Sequence, residues 1–180
     1  MKLKYFIVMV VFVGVSRLFA GEFTLYSNDF AGQLTKTQEA SVFGCDGQNV
    51  SPELHWTHAP LGTKSFAVTL YDPDAPTGSG WWHWIVFNIP ATTTSLPSDF
   101  GNTTKKQTLL TIQSMTDYGR IGFGGACPPK GDKAHRYVFT VYALSVDKLP
   151  LSTSSMPALV GFMLNANAIA KASMVSYYKR

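Results

Sequence analysis

Apolar runs of strand length recur along this chain between turns rich in Pro, Gly, Asn and Asp, and they restrict the fold more than any other feature. Phe66-Ala67-Val68-Thr69-Leu70-Tyr71 alternates, with apolar residues at 66, 68 and 70. Trp84-Ile85-Val86-Phe87-Asn88-Ile89 and Tyr137-Val138-Phe139-Thr140-Val141-Tyr142 are almost continuously apolar. Alternation marks a strand with one wet face, and a continuous run marks one covered on both. Phe23-Thr24-Leu25-Tyr26 and the weaker Thr108-Leu109-Leu110-Thr111-Ile112 complete five candidates. The segments between them, such as Asp72-Pro73-Asp74-Ala75-Pro76 and Gly124 to Asp132, are built of turn formers. Strands so spaced, with few helical stretches between them, predict a mainly β domain paired antiparallel. One helix is expected near the end, capped by Ser155 with Pro157 in its first turn. Its predicted core face is Leu159, Phe162, Met163, Ala166 and Ala170.

The 180 residues are 46% hydrophobic and only 14% charged, with 12 Phe, 8 Tyr and 4 Trp. Disorder needs few aromatics and much charge, so it is excluded. The first residues read differently from the rest. Lys2 and Lys4 precede an apolar run from Tyr5 to Val15, and Ala20-Gly21 closes the segment with small residues. This is the pattern of a secretory signal peptide over residues 1–20, ahead of a single domain at 21–180. The apolar run is too short for the roughly 20 residues of a spanning helix, so no transmembrane segment is expected in the mature chain.

Cleavage there removes Lys2, Lys4 and Arg17 and no acid. Twelve of the 15 basic residues then face 11 acidic ones, a net charge of +1. Without a basic field, nucleic acid is excluded as a partner. Export to the periplasm or beyond also bears on the two cysteines. An oxidising compartment favours pairing Cys45 with Cys127, two separate buried thiols being the alternative.

Three polar groups abut rigid loops at strand ends. Asp72 ends one strand, His83 follows Gly78-Ser79-Gly80-Trp81-Trp82, and His135 follows Pro128-Pro129-Lys130-Gly131. Loops on a rigid scaffold commonly carry function. Two imidazoles and the Tyr137 hydroxyl can donate to a phosphate or carboxylate, and Asp72 can orient an imidazole or accept from an amine. Trp81, Trp82 and Trp84 offer faces to an apolar or cationic group. Other chemistries lack their motifs. No serine sits in G-x-S-x-G, no histidine pair has zinc spacing, and Gly122-Phe123-Gly124-Gly125 is followed by no Gly-Lys-Ser/Thr. No cofactor, no metal and no enzymatic activity are therefore expected.

Four segments in order, Gly44-Cys45-Asp46-Gly47-Gln48-Asn49-Val50-Ser51-Pro52-Glu53-Leu54-His55-Trp56, Asp72-Pro73-Asp74-Ala75-Pro76, Trp82-His83-Trp84-Ile85-Val86-Phe87-Asn88 and Cys127-Pro128-Pro129-Lys130-Gly131 with His135-Arg136-Tyr137-Val138-Phe139, resemble the phosphatidylethanolamine-binding protein family. The bacterial Raf-kinase-inhibitor-like branch is the most similar. The resemblance implies a large antiparallel sheet, a smaller second sheet, C-terminal helical structure and a small anion pocket at one rim. It places Asp72, His83, His135 and Tyr137 at that pocket, with Pro129 and Cys127 in its wall. It implies a phosphate-bearing ligand such as a phospholipid headgroup. The alternative it implies is an interaction protein that inhibits a kinase, protease or host factor through its surface, and self-association as a homodimer stays open. Asn167 and Ser176 depart from the branch, which commonly has histidine and glycine there, and so bear on any C-terminal lid over the pocket.

Overall fold

The computed structural model describes residues 21–107 and 109–180; the expected leader at 1–20 lies outside them. Among the described residues the elements run β1 (Thr24–Tyr26), β2 (Leu54–Thr57), β3 (Ser65–Asp72), β4 (Trp81–Pro90), β5 (Ser95–Leu96), β6 (Ile112–Gln113), β7 (His135–Leu144), α1 (Pro157–Asn167) and β8 (Ala168–Tyr178). Five strands pair antiparallel in the order β6-β4-β3-β7-β8, and three more in the order β1-β2-β5. This is the mainly β, two-sheet architecture with a late helix that the sequence predicts.

The large sheet is covered on both faces, which accounts for its continuous apolar runs. Phe66, Val68 and Leu70 of β3 meet Leu54 and Trp56 of β2 between the sheets, where Phe139 and Val141 of β7 join them. Ala67, Ile85, Phe87 and Leu144 point the other way, onto Val160 and Leu164 of α1. Among the described residues no helix is long and apolar enough to cross a membrane.

The C-terminal part corrects the sequence expectation. The helix buries Pro157, Val160 and Leu164, while Leu159 and Phe162 face solvent. Ser155 does not cap it: Met156 holds the cap position with no side-chain bond, and the Ser155 hydroxyl accepts from the Ser152 backbone instead. Ala170 belongs to β8. That strand escapes sequence reading because it is an edge strand, selected by its ladder to β7 rather than by an apolar face. β2 and β5 are too short to stand out, and β6 retains only Ile112 of the predicted fifth strand.

Two bulges in β4 matter. Phe66 pairs with Ile89 and Val68 with Val86, leaving an extra residue on β4. Asn88 takes it up at φ 59, and its side chain exchanges hydrogen bonds with the Leu149 backbone. The second bulge lies between the pairs Leu70–Trp84 and Tyr71–Trp82, and its extra residue is His83.

Candidate functional site

β3 ends, and β4 and β7 begin, at one rim of the large sheet, so Asp72, Trp81 and His135 arrive there on adjacent strands. The His83 bulge completes the arrangement. Trp84 lies between the sheets whereas Trp82 packs toward the helix side, so His83 stands on the same side as Trp84 rather than opposite it. A cavity of about 340 Å³ opens at this rim. Asp72, His83, His135 and Tyr137 line it, with Pro129 and Cys127 in its wall. All six residues named for the pocket from the sequence are thus brought together. Of the three tryptophans only Trp81 lines it; Trp84 is core, its indole N–H donating to Gln113 Oε1 at 2.8 Å.

His83 is buried and its Nδ1 lies 2.9 Å from the Gly124 carbonyl and 3.1 Å from that of Gly125. Carbonyls only accept, so the ring proton sits on Nδ1 and the Nε2 lone pair is left without a partner. Burial depresses its pKa below the ordinary imidazole value, and the two carbonyls oppose this only in part. The carbonyls are themselves held in place. Asn49 donates from Nδ2 to Phe123 O at 3.1 Å and accepts the Gly125 N–H on Oδ1 at 2.8 Å, while the Tyr118 hydroxyl donates to Gly125 O at 2.7 Å. A side chain at Gly125 would run into the Gln38 carbonyl, its Cβ only 2.2 Å away, so the close approach demands glycine.

His135 is engaged on both sides. Nδ1 donates to Asp72 Oδ2 at 2.8 Å and Nε2 to Asp132 Oδ2 at 3.2 Å. Two carboxylate partners require two N–H donors, hence an imidazolium. Burial opposes that charge, but the bonds to Asp72 and Asp132 outweigh it and raise the pKa above the ordinary value. Asp72 fixes an imidazole, as the sequence reading allows, and its Oδ1 also accepts the Asp74 N–H at 2.8 Å. Asp74 in turn grips the Arg136 guanidinium at 2.8 and 2.9 Å, which holds its carboxyl well below the usual range.

Tyr137 is fully buried with no partner for its hydroxyl. Burial, reinforced by the nearby Asp72 carboxylate, pushes its phenol far above the ordinary value, so it stays a donor. Trp81 Nε1 is likewise buried and unpartnered. The structure pairs Cys45 with Cys127.

Several lining residues were missed from the sequence: Phe43, Tyr118 and Arg180. Arg180 donates from Nε to Pro128 O at 2.8 Å and from Nη1 to Gly44 O at 2.6 Å, bridging the two segments that the disulfide joins. Asn167 and Ser176 line nothing in the cavity. Asn167 ends α1, and Ser176 is buried on β8 opposite Tyr137. A signal existed for Asn49, which lies within the first resembling segment; Phe43 and Tyr118 carry none that distinguishes them from core aromatics.

The fold and site define a two-sheet β protein with a polar-floored cavity at a sheet rim. The chain belongs to the phosphatidylethanolamine-binding protein family, whose model matches residues 27–179. It is 56% identical over 164 residues to the UPF0098 protein YbcL of Escherichia coli, covering 89% of each chain. It is 45% identical over 156 residues to YbhB of the same organism, covering 86% of this chain and 98% of that one. The crystal structure of E. coli YbcL, described as a new member of the mammalian family, superposes with a TM-score of 0.86 at 54% identity, over 89% of this chain and 99% of that one. A Chlamydia trachomatis structure described as a putative homologue of the family gives 0.72 at 26% identity, over 88% and 97%. Family membership supports a ligand-binding protein in general.

Proposed function

We propose that the protein is an exported, non-catalytic binder of a small phosphate-bearing anion, a phosphate monoester or a phospholipid headgroup, seated in the rim cavity. The observation that carries this is the set of three buried polar atoms without partners, His83 Nε2, Tyr137 Oη and Trp81 Nε1, all on residues that line that one cavity. Buried polar atoms are almost always paired, so three around one space call for a polar occupant. Tyr137 and Trp81 donate to the anion. His83 does so after taking a proton on Nε2, either from the solvent or from the ligand's own P–O–H group. His135 and Asp72 hold the floor rather than touch the ligand first. No activated nucleophile accompanies them: Tyr137 stays protonated, and the Thr77 hydroxyl donates to Gly80 O. Export rests on the leader pattern and on the disulfide, which suits an oxidising compartment.

Calorimetric titration with phosphate, phosphoethanolamine and a short-chain phosphatidylethanolamine tests the reading. Saturable binding is expected, and His83→Ala should weaken it about 10- to 100-fold, the value of a charge-assisted hydrogen bond. Binding at unchanged affinity in the variant would overturn the assignment. No binding of any of the three would favour the surface-acting interaction protein.

A pH dependence follows from the His83 tautomer. Because binding charges a ring whose free pKa lies below the ordinary value, the complex takes up a proton. Affinity for a phosphodiester, whose own charge does not change near neutrality, should fall by up to about tenfold per pH unit above that lowered pKa. Titration in buffers of different ionisation heats reads the proton directly, and the dependence should vanish in His83→Ala.

A further inference from the structure

Towards the rim, β4 runs past its neighbour. β6 pairs with it only at Val86 and Phe87, so residues 82–85 have no strand on that edge among the described residues. The loop 114–125 closes the edge instead. Ser114 donates its N–H to Ile85 O at 3.2 Å, and Gly124 donates to His83 O at 2.8 Å. Asp117 takes hold of Trp82 twice. Its N–H donates to Trp82 O at 3.1 Å, and its Oδ2 accepts the Trp82 N–H at 2.7 Å. The carbonyls of two successive residues, Trp82 and His83, therefore face one edge, which is what an extra residue in the strand produces. A slip of one residue there would turn His83 away from the cavity and toward the helix side.

The bond to Trp82 needs an acceptor but not a charge, since an amide oxygen would take the same N–H. The charge has another neighbour. Burial disfavours a proton on His83, and the carboxylates of Asp72 and Asp117 both act against it. The other charged and titratable groups around that ring are committed. From β3, Asp72 accepts from the His135 imidazolium, and on β7 that imidazolium is held by two carboxylates. Tyr137, its ring 5.2 Å from that of His83, stays protonated. On the loop, the Tyr118 ring lies 5.5 Å from His83 and its hydroxyl donates to Gly125 O, while Arg120 sits 5.6 Å over that ring. On the wall, Arg180 donates to the Pro128 and Gly44 carbonyls. Asp72, Asp74 and Asp132 each pair with a cation, and Asp117 pairs with none among the described residues. Its charge is left to answer a proton arriving on His83.

We propose that Asp117 is a positioning residue of the site in two senses: it locks the bulge that aims His83 into the cavity, and its carboxylate is the counter-charge of the His83 imidazolium formed when an anion binds. This rests on the reading of the cavity given above. The probe is dimethyl phosphate, a monoanion from acid to alkaline pH, titrated calorimetrically into the oxidised protein across that range. Asp117→Asn keeps the acceptor for Trp82 and removes the charge. Its affinity should match the wild type to within about twofold at the acid end, where His83 is already protonated, and fall about three- to tenfold short of it at neutral pH. Asp117→Ala also strands the Trp82 N–H, and should lose affinity at the acid end as well. With His83→Ala already in place, Asp117→Asn should have no further effect.

A pH profile of Asp117→Asn identical to that of the wild type would overturn the counter-charge. An equal loss at every pH, which a purely structural role produces, would overturn it too. Asp117→Ala binding just as Asp117→Asn does would overturn the lock on the bulge. Amide exchange checks that lock without any variant: the Trp82 N–H of the wild type should exchange slowly, and exchange at the rate of an open chain would overturn it. A wild type that does not bind dimethyl phosphate overturns the reading of the cavity and this proposal together. Binding with an unaltered Asp117→Asn profile overturns this proposal alone.

Discussion

Opening the Cys45–Cys127 disulfide is expected to lower the stability of the folded chain by about 4–5 kcal/mol. The bridge joins residues 82 apart in sequence, and in the chain-entropy model a loop of that length restricts the unfolded chain by about this much. Urea unfolding of the oxidised protein against a Cys45→Ser/Cys127→Ser double variant measures it, through the transition midpoint. The effect should reach the site as well. Cys127 lines the cavity, and Cys45 is two residues from Phe43 on the opposing segment. Without the bridge the wall at Gly44 and Pro128 is tied by Arg180 through bonds near the surface, while the Ala126 backbone bonds to Gln38 and Ala40 and the Asn49 bonds to Phe123 and Gly125 hold the segments together further back. Affinity for the phosphate probes should therefore fall in the double variant under conditions where it remains folded. Unchanged binding there would separate the wall from the floor and leave the disulfide a purely structural element.

What the sequence discloses about this molecule depends on whether side-chain burial or backbone pairing selects an element. β3, β4 and β7 lie at the centre of a sheet covered on both faces, so their apolar runs are visible without knowing their partners. β8 is equally long but sits at the edge. Its inward residues are small, Ala172 and Ser176 buried and Ala168 and Ala170 partly so, and such residues do not stand out as a strand after a helix until the ladder to β7 is seen. The helix face departs from the sequence expectation for a related reason. Leu159 and Phe162 are as apolar as the residues that are buried, and of the expected face Met163 does pack inward, yet the sheet meets the helix along Pro157, Val160 and Leu164, where the surface it must cover decides the choice.

The site divides in the same way. Asp72, His83, His135 and Tyr137 were legible because each ends or begins a strand beside a rigid loop. Their roles were not. That His83 presents a lone pair depends on Gly124 and Gly125, which lie far from it in sequence, and that His135 gives both nitrogens to carboxylates depends on Asp72 from a distant strand and on Asp132 from the turn just before it. Phe43 and Tyr118 were illegible because an aromatic residue in a loop is ordinarily core.

Replacing His135 should be the most damaging single change at the site. Its ring and the Asp72 carboxylate are both almost wholly buried, and they form one ion pair at 2.8 Å. Removing one member of a buried pair strands the other charge away from water, which costs about 3–5 kcal/mol. His135→Ala is therefore expected to lose that much near neutral pH. Asp72→Asn added to it should recover part of the loss, because an amide in the same place carries no charge to strand. Full additivity of the two substitutions would show that the pair is not coupled and would overturn this account.

The same pair gives the wild-type protein a pH signature. The folded pKa of His135 lies above its unfolded value, so its contribution to stability is fully present below the ordinary imidazole pKa and is lost as pH rises through the raised one. Stability of the wild type should decline across that window, and Asp72→Asn should flatten the decline because the larger of the two carboxylate contributions that raise the pKa is gone, leaving only that of Asp132. His83 moves oppositely in the free protein, since burial lowers its pKa. Two histidines on one floor, one held charged by carboxylates and one held neutral by burial, leave a single ring free to change its protonation when an anion arrives. Chemical-shift titration of the two rings, with and without phosphate, should find only His83 moving on binding; movement of His135 instead would exchange their roles.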